Sequence, residues 1–172
     1  MWLSNRYFLV IALGLALFLT DFITKQYVFN HIPLGYSSYS YPFGGIPVFH
    51  NFLGIDFSLN HAANKGAAWG AFADFQLYLL ALRIILIISM IIYVAFFNKR
   101  SAWQIPLVLI IAGALGNVVD YFIYGHVIDM FHFILWGYDY PVFNIADATI
   151  FIGISWLLIG SWGNKAAYEK SK

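Results

Sequence analysis

The chain has 172 residues and a formal net charge of +1; 62% of its residues are hydrophobic, 20% aromatic and 10% charged. A soluble domain carries about 25% charged residues, so this composition reads as an integral membrane protein. A near-neutral charge without a basic tract argues against a nucleic-acid partner. The absence of cysteine removes a disulfide framework, a thiolate nucleophile and a zinc-thiolate site together.

Four segments are long enough to cross a bilayer at about 20 residues each. The first, 7–29, opens apolar and admits Asp21 and Lys25 near its far end, at the spacing of an intrahelical ion pair. Arg6 precedes it as in a secretory signal, but no Ala-x-Ala-like site follows, so it reads as an uncleaved anchor. The stretch 30–76 has structure of its own. Tyr36, Tyr39, Tyr41, Pro42, Phe43, Gly44, Gly45 and Pro47 suit a turn-rich membrane interface, and Ile55, Phe57 and Leu59 alternate with polar neighbours as in a half-buried strand. Together they predict a small sheet on the outer surface. Asn64-Lys65-Gly66-Ala67-Ala68-Trp69-Gly70 then gives a tight turn whose small residues admit a closely approaching backbone.

The second span, 77–97, is almost wholly Leu, Ile, Ala and Tyr, with Arg83 inside it either snorkelling or pairing with an acid. The third, 105–124, carries Asn117 and Asp120 on nearly one helical face. Asp129 follows, flanked by His126 and His132, which lack a convincing metal-ligand set. Read alone, Asp129 is a solvated loop residue at the membrane interface. The fourth span, 145–162, has Asn144 before it and Asp147 in its first turn, so that Asn144 reads as a helix cap with an acid at the third position. No tandem repeat or second domain is evident.

Arg6, then Lys99 and Arg100, then Lys165, Lys170 and Lys172 fall on one side of a four-span chain, which the positive-inside rule makes the cytoplasm. Both termini are then cytoplasmic. Asp21, Lys25, Asn117, Asp120, Asp129 and Asp147 all fall toward the outer leaflet. Acids at the edge of hydrocarbon are functional candidates by default, and two that share one proton make an acid and a base from identical side chains. A proton-coupled transporter also uses such acids, but four spans without inverted repeats or broken helices make poor alternating-access machinery. A noncatalytic assembly factor explains the aromatics and outer loop without requiring two acids at one depth.

The order of motifs resembles the lipoprotein signal peptidases of type II, the bacterial membrane aspartyl protease family. The resemblance rests on Asp21-x-x-x-Lys25, Asn64-x-Gly66-Ala67-Ala68-Trp69, Gly113-Ala114-Leu115-Gly116-Asn117-x-x-Asp120, Gly125-x-Val127-Ile128-Asp129 and Phe143-Asn144-x-Ala146-Asp147. It implies an all-α polytopic membrane protein in one domain, with four transmembrane helices, a small outward-facing β-sheet cradle and a short surface helix between spans one and two. It further implies an aspartic endopeptidase of the bacterial inner membrane that cleaves prolipoproteins before a diacylglyceryl-modified cysteine. Such an enzyme is monomeric, in contact with membrane lipid, and uses no cofactor. The family's catalytic pair falls on Asp129 and Asp147. Substrate-binding or supporting positions fall on Asn64, Gly66, Asn117, Asp120, Tyr121 and Asn144, and a structural ion pair on Asp21 and Lys25. The chain departs from the pattern at Tyr121, where members usually carry arginine, and at Trp69, where they usually carry phenylalanine. A phenol cannot replace the planar fork of a guanidinium.

Overall fold

The computed structural model describes residues 2–35, 45–65 and 73–169. Gly66, Ala67, Ala68, Trp69 and the aromatic positions from Tyr36 to Gly44 lie outside the described residues. Four helices and four strands follow in the order α1 (Trp2–His31), β1 (Ile46–Phe52), β2 (Ile55–Asn64), α2 (Gln76–Ile92), α3 (Gln104–Tyr124), β3 (Val127–Leu135), β4 (Tyr138–Asp139) and α4 (Ile145–Glu169). Of a surface helix between the first two spans, the described residues hold one 3₁₀ turn, Ala73–Phe75, leading into α2. A π-turn, Tyr93–Phe97, extends α2.

Three helical stretches, Arg6–His31, Gln76–Phe97 and Ser101–Tyr124, are long and apolar enough to cross a membrane, and Ile145–Ser161 is a shorter apolar helix. Much of their large apolar surface faces outward, as at Phe8, Ile11, Leu77, Ile85, Phe122 and Phe151. In hydrocarbon such a surface is solvated by lipid, so helix association depends on close packing rather than on hiding apolar area. Gly116 supplies that closeness. A Cβ there would lie 2.6 Å from an Asp21 carboxyl oxygen and 3.4 Å from Ala146 Cβ, so only glycine lets α3 sit this near both α1 and α4. At the opposite end of the bundle, Arg6 donates to the Ser101 carbonyl at 2.8 Å, placing the start of α1 beside the α2–α3 connection.

The strands form one antiparallel sheet in the order β1-β2-β3-β4. The alternation at Ile55, Phe57 and Leu59 is indeed a strand, β2, and its neighbour β1 starts at Ile46 beside the aromatic stretch. Strand β3 was not legible as a strand in the sequence. Its even-numbered side chains, Ile128, Met130, His132 and Ile134, are buried, and two of them pack with Val28 and Ile32 from the end of α1. Its odd-numbered face, including Val127, Asp129 and Phe133, turns to the other side, as the two-residue period of a strand requires. Because both faces are covered, the strand reads as an apolar run rather than an alternation.

Candidate active site

Helix α3 ends at Gly125, whose φ of 77° allows the left-handed turn that sends the chain back as β3. Four residues later this places Asp129 against β2, opposite Ala62. A register irregularity between Leu59 and Ala62 puts one extra residue into β2, the kind of bulge that re-aims a side chain. Beyond it, Asn64 lies two residues along from Ala62 and so on the face that Asp129 shares. Its amide donates to Asp129 Oδ2 at 2.9 Å. Asp129 is therefore a buried strand residue, 2% exposed, rather than a solvated loop residue.

The second acid arrives from α4, and the same strand sets where that helix begins. Phe143 exchanges backbone hydrogen bonds with Phe131 at 2.8 and 3.1 Å. This pins Asn144, fully buried, beside Asp129. Asn144 does two jobs at once. Its Oδ1 accepts the Asp147 backbone N–H at 2.8 Å, the N-cap bond that starts α4; its Nδ2 donates to Asp129 Oδ1 at 2.7 Å and lies 3.2 Å from Asn117 Oδ1. Asn117 in turn donates to Asp147 Oδ1 at 2.8 Å. The two carboxyls, distant in sequence, thus belong to one hydrogen-bonded network through two asparagines.

Beneath them lies a fully buried cation. Lys25 Nζ contacts Asp21 at 2.7 Å, Asp120 at 2.8 Å and Asn117 Oδ1 at 2.9 Å, which occupies its three N–H donors. Each acid then reaches a further backbone group. Asp21 accepts from Ala146 N at 2.7 Å and Asp120 from Ile128 N at 3.2 Å. The Asp21–Lys25 pair is consequently more than an intrahelical brace: it ties α1, α3, β3 and α4 together and orients the amide that holds Asp147. Asp120 does not touch the Asp129–Asp147 network directly but fixes the start of the strand that carries Asp129.

Burial pushes the Asp129 carboxyl up to about 7, and the nearby charge of Asp147 pushes in the same direction. The hydrogen bonds from Asn64 and Asn144 and the charge of Lys25 oppose this without cancelling it. Near neutral pH the Asp129 carboxyl can therefore hold a proton. The flanking histidines have other surroundings: His132 pairs with Asp139 at 2.6 Å, and His126 is half-buried, with burial holding its imidazole below the usual range.

A cavity of about 710 Å³ opens on this network, lined on one side by Asn64, Asn117 and Asp147 and elsewhere mainly by apolar side chains such as Val127, Phe133, Val142 and Phe151. Arg83 from α2 lines it too, a placement that its position within an apolar run could not reveal. Tyr121 does not reach it among the described lining residues; it packs in the α2–α3 seam with Leu80, Ile87 and Val118. The apolar wall from β3 was also missed, since recognising it required knowing which face of that strand turns away from α1.

Apolar helices long enough to cross a bilayer, with a network of acids beside a cavity, define a multi-pass membrane protein with a site built for chemistry. In keeping with this, the fold is similar to two solved bacterial membrane enzymes, one at a TM-score of 0.75 and 26% identity over 92% of this chain and 90% of the other, the second at 0.66 and 27% over 88% and 90%. The family model for signal peptidase (SPase) II matches residues 13–163. Relatives named lipoprotein signal peptidase include one from Staphylococcus haemolyticus, 32% identical over 91% of this chain and 94% of its own length, and one from Staphylococcus aureus, 31% identical over 91% of both. Another, from Chlamydia pneumoniae, is 39% identical over 60% of this chain; there the match spans 63% of the relative. The chain belongs to the signal peptidase II family and is a membrane protease.

Proposed function

We propose that this chain removes the signal peptide from prolipoproteins by hydrolysing the bond before a diacylglyceryl-modified cysteine, with Asp129 and Asp147 as an aspartyl catalytic pair. The observation that carries this reading is the network in which Asn144 and Asn117 connect the buried Asp129 to Asp147, which lines an apolar cavity. Asp129 keeps the shared proton and polarises the scissile carbonyl. Asp147, as the charged partner, takes a proton from the attacking water, and Asp129 then gives its proton to the leaving amine. The titration belongs to the pair, so the roles exchange over the cycle. The reaction needs neither a covalent intermediate nor a metal. Asn64 and Asn117 hold the carboxyls from the cavity side and offer polar contacts to the peptide, while the apolar wall accepts acyl chains.

Four helices cross the bacterial inner membrane in this reading, with both termini cytoplasmic and the sheet forming a cradle on the outer face. The link from Arg6 to Ser101 at one end and the acid network at the other support that polarity. In this reading the enzyme is a monomer in a single domain. A lipid-anchored substrate reaches such a site by lateral movement in the membrane, whereas a soluble peptide does not. The test is cleavage of a synthetic diacylglyceryl-modified prolipoprotein by the purified protein. Asp129→Asn and Asp147→Asn should each abolish turnover while leaving membrane insertion intact; substantial cleavage by either variant would reject the pair.

A further inference from the structure

We propose that Arg83 is a specificity-determining residue that holds a carbonyl oxygen of the lipidated substrate in the cavity; this rests on the peptidase reading above. Leu80 and Ile87 are the buried positions of α2, packed on Val118 of α3. Arg83 lies three residues after the first and four before the second, hence on the same helical face, toward α3 rather than lipid. It stands about 10 Å along α2 from Gln76 at the rise of an α-helix, within a stretch otherwise suited to hydrocarbon. A guanidinium at that depth is costly to keep, which is why such residues face a bundle interior or a cavity. Here it lines the cavity beside Asn64, Asn117 and Asp147 and is the one cation among the described lining residues.

The chemistry of the group selects its ligand. A guanidinium carries five N–H donors in a planar fork and cannot deprotonate, so one protein partner does not exhaust it. A carbonyl oxygen in a mostly apolar cavity accepts such a bond with little competition from water. The substrate supplies neutral carbonyls of two kinds, the peptide amides and the two esters of the diacylglyceryl group. Both present the same acceptor, so the proposal concerns a carbonyl oxygen, and substrate variation separates the sources.

The full-length protein in proteoliposomes should be assayed with a diacylglyceryl-modified prolipoprotein peptide and with its dialkyl-ether counterpart, which lacks both ester carbonyls. Arg83→Gln should raise KM about 10- to 100-fold, the range for loss of one charge-assisted hydrogen bond, with kcat at saturation changed less than about threefold. Arg83→Lys should recover part of the KM. If the penalty of Arg83→Gln vanishes on the ether substrate, the ester is the ligand; if it persists, the peptide is. An unchanged KM overturns the proposal, as does a kcat lowered by orders of magnitude at unchanged KM, which would place Arg83 on Asp147. Should Arg83→Gln fail to fold, the KM and kcat of Arg83→Lys decide, and an unchanged KM again overturns it. Failure of the peptidase reading is separately visible, as a native protein that leaves the lipidated substrate uncut or an active Asp129→Asn.

Discussion

Asp129 accepts hydrogen bonds at both carboxyl oxygens, an arrangement that by itself favours the charged form, yet burial and the charge of Asp147 outweigh it and push the group up to about 7. The direction has two consequences. As the proton donor of the proposed pair, Asp129 is competent below about pH 7, so kcat/KM should fall as pH rises through that value. A rate flat from pH 6 to 9 would remove it from the acid role. For stability the sign is that of a raised carboxyl: its favourable contribution is complete below the ordinary value of 3.8 and is lost as pH rises through about 7. Replacing Asp129 by asparagine removes this titration. Between pH 5 and pH 9 the native protein should therefore lose more thermal stability than Asp129→Asn, measured as Tm in the same detergent. Equal losses would show that another group dominates the dependence.

At the scale of elements, the Lys25 hub determines how helices and sheet meet. Removing one partner of a buried ion-paired cluster leaves charge uncompensated, at a cost of about 3–5 kcal/mol. Lys25→Met strands Asp21 and Asp120 in this way and frees Asn117, which holds Asp147. It should lower Tm strongly and reduce turnover in whatever fraction remains folded; a variant with native Tm would contradict the hub. Tyr121 belongs to a different seam. It packs on Leu80, Ile87 and Val118 and is not among the described residues lining the cavity, so Tyr121→Arg inserts a cation between α2 and α3. The variant should lose thermal stability while its KM for the lipidated substrate stays within about threefold, because this side chain is packed in the α2–α3 seam. A large KM change at native Tm would mean that this position reaches the substrate after all.

For the whole molecule, the proposed polarity across the membrane rests on the cationic connections lying at one end of the helices. The absence of cysteine makes this directly measurable, since a single introduced thiol is the only target for a maleimide. Leu53, 78% exposed at the β1–β2 turn, and Lys99, between α2 and α3, sit on opposite sides in the proposed orientation. A membrane-impermeant maleimide should label Leu53→Cys on intact spheroplasts and Lys99→Cys only after permeabilisation. The reverse pattern would invert the topology and move the cavity to the cytoplasmic face.

The membrane class, the apolar spans, the strand at Ile55, the Asn144 cap and the family motifs were readable because each depends on local composition, period or short spacing. The Asp21–Lys25 pair was readable for the same reason, being one helical turn apart. Strand β3 was not, because its two faces are covered by different elements and the period of two is erased by burial on both sides. Nor were the Asp120 and Asn117 arms of the Lys25 hub, the meeting of Asn144 with Asp129, or the placing of Arg83 at the cavity and of Tyr121 against Leu80, Ile87 and Val118. Those relations join residues from separate elements, and they were decided only when Gly116 let α1, α3 and α4 approach one another closely enough for buried donors and acceptors to satisfy each other across the chain.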